Sequence, residues 1–172
     1  MPRRALHAGA LAAIAVLPAA AEAGRPANPG VLLPVVFEGQ ITTIKQDSQV
    51  AVLMPTRFRP HASLLYPTGG PTRRGWSLQL ASAANCGGAS ACFIAAFTAR
   101  RARSIGVSGR RVQLRGGRTG VFRPLSCGAS CAPASIAFRR RGVRYAYKDK
   151  GGPTSRRAMI GLANSALAAG PR

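Results

Sequence analysis

Strict alternation of apolar and polar side chains constrains this chain more than any other feature of it. Trp76, Leu78 and Leu80 alternate with Ser77 and Gln79, and Phe93, Ala95 and Phe97 repeat the period; Val143-Arg144-Tyr145-Ala146-Tyr147 carries it again near the end. A period of two places every second side chain on one face, so each stretch reads as a strand with one buried face. Turn signals separate the runs. Gly116-Gly117 links Val112-Gln113-Leu114 to Val121-Phe122 as a hairpin, and Arg139-Arg140-Arg141-Gly142 links Ile136-Ala137-Phe138 to the run from Val143.

Weaker signals fill the remainder. Val50 to Met54 is a short β-branched run stopped by Pro55, which predicts a strand, and Leu64 to Pro67 starts another. Thr68 to Gly75, TGGPTRRG, reads as turn material. Phe37, Ile41 and Ile44 have helical spacing, predicting a helix between Phe37 and Ser48 despite Thr42-Thr43. At the far end Thr154 or Ser155 can cap a helix whose Met159, Leu162, Ala163, Ala166 and Leu167 recur every three or four residues until Gly170-Pro171 stops it. The expected fold is α+β: an antiparallel sheet of about five to seven strands with an N-terminal and a C-terminal helix packed on one face.

Residues 1–23 have two arginines, an Ala/Leu/Ile/Val run and a small-x-small ending at Ala21-Glu22-Ala23, the pattern of a signal peptide cleaved after Ala23. The run from Ala8 to Leu17 is shorter than the roughly 20 residues a membrane span needs, and no later stretch could span a bilayer. Residues 24–49 read as an extended lead-in with the possible helix, and residues 50–172 as a single α+β domain, secreted or held in the periplasm or cell envelope.

Four cysteines, Cys86, Cys92, Cys127 and Cys131, lie in the exported part, where oxidation favours disulfides. Crossed pairing would close loops of about 40 residues and gain nearly 4 kcal/mol per bond, against about 2 kcal/mol for the short loops within CGGASAC and CGASC. Geometry argues the other way, because glycine beside each first cysteine lets the chain turn back tightly. Local pairs, Cys86 with Cys92 and Cys127 with Cys131, are therefore expected. A zinc site fits poorly, since only CGASC has ligand-like spacing, and no CxxC redox motif is present.

Chemistry is thinly supplied. After cleavage the acids are Glu38, Asp47 and Asp149, and His61 is the single histidine. No nucleophile elbow, phosphate loop or metal-ligand cluster occurs, so no catalytic residue, metal or cofactor is expected. The rival expectation is a small-ligand-binding or hydrolytic protein with a cleft between the sheet and the C-terminal helix, using His61, Asn164 or Tyr145.

Charge points to a partner class. The sequence holds 25 lysines and arginines against 4 acids, a formal net charge of +21, and only Lys45, Lys148 and Lys150 are lysines. A GC-rich genome yields such an Ala, Gly, Pro and Arg profile without selection for binding, yet the arginines still build a basic rim at strand ends and turns. Contact with an anionic envelope polymer or lipid surface is expected from Arg139, Arg140, Arg141 and Arg144, with Arg110, Arg111 and Arg115 as a second cluster. The aromatics alternate as core residues instead of interleaving with the arginines, which argues against sequence-specific nucleic-acid recognition and leaves DNA as a mere polyanion.

The order of VLMP at residues 52–55, the Trp-x-Leu-x-Leu strand, CGGASACF, GGRTGVF, CGASCAPASIAF, GVRYAY and LANSALAAGPR resembles a family of uncharacterised secreted proteins from GC-rich actinobacteria and from cyanobacteria. The likeness covers residues 50–172 and is most specific at Cys127, Gly128, Cys131 and Ala163-Asn164-Ser165. It implies an exported domain with no catalytic residues to carry over. The hairpin followed by a terminal helix is also similar in outline to PsbP-like and LpqN-like exported domains, which are binding or assembly modules.

Overall fold

The computed structural model describes residues 30–87 and 89–172; the expected signal peptide, residues 1–23, and the start of the lead-in lie outside the described residues. In chain order the elements are β1 (Val31–Leu32), α1 (Leu33–Val36), α2 (Glu38–Asp47), β2 (Arg57–Phe58), β3 (Tyr66–Thr72), β4 (Gly75–Ala81), β5 (Phe93–Arg101), β6 (Arg110–Leu114), β7 (Arg118–Arg123), β8 (Ser126–Cys127), β9 (Cys131–Ala132), β10 (Ala134–Arg140), β11 (Val143–Asp149) and α3 (Arg156–Ala169). A 7-stranded antiparallel sheet runs β3-β4-β5-β11-β10-β7-β6, while β1 pairs with β2 and β8 with β9 as separate ribbons.

The alternating runs become the inner face of this sheet. Leu78, Phe97, Tyr147, Ile136 and Phe122 stand side by side across five strands, and all are buried. Phe97 is the hub: its ring meets Phe37, Phe58 and Tyr147 at centroid distances of 6.2, 6.2 and 5.6 Å. Helix α2 packs beside β3, and α3 lies over β6, β10 and β11, burying Met159, Ala163 and Ala166. Ser155 caps α3, its Oγ accepting the Ala158 amide at 3.2 Å. The α+β fold with a helix from each end of the chain over one sheet face is thus as expected.

Two readings of local structure are corrected. Val50, Val52, Leu53 and Met54 are buried while Ala51 is exposed, and the segment forms no strand. It crosses the inner face, and side chains instead of a neighbouring strand satisfy its carbonyls: Trp76 Nε1 and Tyr145 Oη donate to Ala51 O at 3.2 Å each, and Tyr147 Oη donates to Leu53 O at 2.8 Å. Paired in this way, the buried carbonyls avoid the penalty of an unmet acceptor. The second correction concerns TGGPTRRG, most of which is strand β3, so that the turn is only Arg73-Arg74. Proline is tolerated here because β3 is an edge strand, where a missing N–H costs no ladder bond.

Strand registers also sort the loops by end. Arg73-Arg74, the chain after Arg101, Arg115 to Gly117 and Arg141-Gly142 lie at one end of the sheet. Both cysteine loops, with Lys150 to Gly152, lie at the other. The pairing is local: Cys86–Cys92 and Cys127–Cys131 are disulfides with Cα separations of 5.7 and 4.0 Å. Two such bonds favour an oxidising compartment. Among the described residues no helix is long and apolar enough to cross a membrane.

Candidate anion-binding surface

The arginine turns meet because distant strands are neighbours. Arg100 stands opposite Arg144 on β11, and Arg144 stands opposite Arg139 on β10. One basin of about 450 Å³ at this end is lined by Arg101, Arg103, Arg139 and Arg141 with Ala102, Gly142 and Val143, and no acid lines it. Arg139 Nε donates to Ala102 O at 2.9 Å, which ties two of the turns together. A smaller cavity of about 190 Å³ shares Arg101 and Arg141 and adds Arg140, Gln49 and Tyr145. Arg101 Nη2 donates to Gln49 Oε1 at 3.1 Å there.

Arg141 occupies an unusual backbone position. It has φ 48° and the following Gly142 φ 77°, so the two-residue turn of the β10–β11 hairpin is left-handed throughout. That geometry favours asparagine or glycine, and an arginine there costs about 1–2 kcal/mol. The cost puts a guanidinium at the tip of the basic end.

The expected arginines separate into two groups. Arg139, Arg140, Arg141 and Arg144 share one end of the sheet with Arg115 of the β6–β7 turn, but of these only Arg139 and Arg141 line the basin; Arg140 lines the smaller cavity beside Tyr145, and Arg144 faces the other side of the sheet with Arg100. Arg110 and Arg111 open β6 at its opposite end and are not neighbours of Arg115. Sequence reading missed Arg73, Arg74, Arg100, Arg101 and Arg103 as partners of the hairpin arginines. Their doublets at strand ends were visible; the strand order that joins them was not.

The sheet's outer face is half covered. The connection after β5 starts beside Arg139, and its last residue, Gly109, packs so close to β7 that a Cβ there would lie 2.9 Å from Val121 Cγ1. Gly109 thus sits against Val121, which like Ala137 is buried on the outer side. Over β4, β5 and β11 the outer face stays open as a concavity of about 420 Å³ whose lining includes Phe93, Ser77, Gln79, Ala96, Thr98, Arg100, Arg144, Ala146 and Lys148, with Trp76 at its edge almost wholly buried.

His61, Asn164 and Tyr145 do not come together. Asn164 Oδ1 accepts the Arg115 amide at 2.7 Å, and Tyr145 Oη is engaged by Ala51 O. His61 is exposed on its loop, its amide donating to Gly151 O at 2.6 Å, near the buried Asp149. Asp149 faces the core at 0 % exposure, with neither carboxylate oxygen in full hydrogen-bond geometry. Burial pushes its pKa up to about 6, opposed by the Gly152 amide, the His61 ring and the Gly151 amide. A cleft of about 470 Å³ does lie between β2 and α3, lined by Arg57, Phe58, Arg59, Pro153, Ala158, Gly161, Leu162 and Ser165, and none of the three residues reaches it. No protein-family model, curated protein or solved structure matches the chain.

Proposed function

We propose that this is an exported, non-catalytic domain that holds anionic components of the cell envelope at the basic end of its sheet. The observation that carries the reading is the basin of Arg101, Arg103, Arg139 and Arg141. Four guanidiniums in one concavity repel one another unless anions come between them, and a bound carboxylate or phosphate relieves that repulsion while gaining forked hydrogen bonds. The strained Arg141 supports the same reading, since a residue kept at a backbone cost is kept for its side chain. Both disulfides sit at the opposite end, where they brace long loops without obstructing the basic one. The resemblance to secreted families agrees with export.

Binding to vesicles rich in anionic phospholipid should be strong at low salt and lost near roughly 0.5 M, where the screening length falls to a few ångströms. The R103Q/R141N variant should bind about tenfold or more weakly, at about 1 kcal/mol per basic residue removed. Its folding should hold or improve, because asparagine suits the left-handed turn better than arginine. Salt-independent binding, or a double variant that binds as the native protein does, would sink the reading.

A further inference from the structure

We propose that the open half of the outer sheet face is a trench for a linear acidic saccharide, a uronate-type chain lying along β5 and β11. The inference rests on the envelope-binding reading and gives it a ligand class.

The trench has cations at both ends and a small polar floor between them. At one end Arg100 and Arg144 are direct cross-strand partners, their backbones about 4.8 Å apart. At the other, Lys148 follows Arg144 by four residues on the same strand, so about 13 Å of extended chain separates them. Thr98, Ala146 and Ala96 make the floor, with Ser77 and Gln79 on the neighbouring strand; Thr98 lies opposite both Ser77 and Ala146. Like charges directly opposite one another are destabilising, and Arg144 has Arg139 as its partner on the other side. Arg144 Nε is buried and meets no acceptor, while burial and the charge of Arg100 lower its pKa. An anionic group laid over this pair would bond the guanidinium groups that line the concavity and offset the repulsion.

The floor decides the class. Phe93, partly exposed at the start of β5, is the one aromatic side chain of the lining not sunk in the core, enough to stack on one sugar ring but not the row of rings on which successive bases of a nucleic acid stack. The floor's hydroxyls and amide suit a hydroxyl-rich chain, and its small side chains leave room for a sugar ring. A membrane is flat and cannot reach the floor; a single extended chain with carboxylates along its length can reach both ends.

The test uses the whole protein with an oligogalacturonate, its methyl ester as the uncharged counterpart, and anionic vesicles. The native protein should bind the oligogalacturonate and not the ester, and the ligand should shift the side-chain NMR signals of Arg100, Arg144 and Lys148. Filling the floor without altering charge, by A146F or independently by S77W, should weaken oligogalacturonate binding at least tenfold and change vesicle binding less than twofold. Vesicle binding without oligogalacturonate binding would overturn the trench and leave the basic end standing; loss of both activities in the native protein would remove both. Floor variants that bind the oligogalacturonate normally, or shifts confined to Arg103, Arg139 and Arg141, would also overturn it.

Discussion

Replacing Phe97 with alanine is expected to lower the unfolding free energy by about 3–5 kcal/mol, the range for deleting a fully buried aromatic ring. Phe97 is 0 % exposed and joins three parts of the fold: Phe37 at the head of α2, Phe58 in β2 and Tyr147 on the next strand. Removing the ring forfeits its transfer free energy and leaves a cavity that three rigid neighbours cannot close together. Tyr147 is held by its bond to Leu53 O and by its own strand, so it cannot tilt into the gap without losing that bond. In urea the midpoint should drop while the slope stays constant. A loss under about 1.5 kcal/mol, the lower end for merely exposing such a side chain, would mean that this ring is not the hub of the core.

The second large effect is a pH dependence centred on Asp149. Its folded pKa of about 6 lies above the roughly 3.9 of an unfolded aspartate, so the folded state holds the proton more tightly. The contribution to stability is therefore complete below about pH 4 and is lost as the pH rises through 6, by at most about 3 kcal/mol. Replacing the carboxylate by an amide removes the titration: D149N should be more stable than the native protein at pH 8, and its stability should vary less between pH 5 and 8. Glu38 and Asp47, the other acids among the described residues, are present in both proteins, so the difference between the two curves reports Asp149 together with its interaction with His61. Parallel curves would contradict a buried carboxylate whose pKa burial raises. Gly152 explains how the group fits, since a Cβ there would stand 3.0 Å from Asp149 Oδ2.

Strands with one buried face could be read from the sequence because alternation is a local signal. Trp76 to Leu80, Ala95 to Phe97 and Val143 to Tyr147 lie where the pattern puts them; Phe93 does not, because a register irregularity at the start of β5 turns Ile94 into the core and leaves Phe93 lining the outer concavity. Local cysteine pairing was readable for a similar reason, since glycine next to each first cysteine acts within its own loop. The segment from Val50 to Met54 misleads because what pairs its carbonyls is contributed from residues 76, 145 and 147, far along the chain. Strand β3 misleads because Gly69, Gly70 and Pro71 look like a turn unless the strand is known to be an edge. The surface falls between these cases. Arginine doublets at strand ends are plain in the sequence, yet only the order β4-β5-β11-β10 brings Arg100, Arg144 and Arg139 into one row.

That convergence makes the central claim directly measurable. Hydrogen exchange of the native protein, with and without saturating polygalacturonate at low salt, reports which backbone segments the polyanion covers. Protection is predicted over residues 73–75, 100–103 and 139–144, with little change at Arg57 to Arg59 or at the start of α3, where Arg156-Arg157 offer equal charge without the convergent geometry. Protection spread evenly over every arginine segment, or centred on the β2–α3 cleft, would contradict the account.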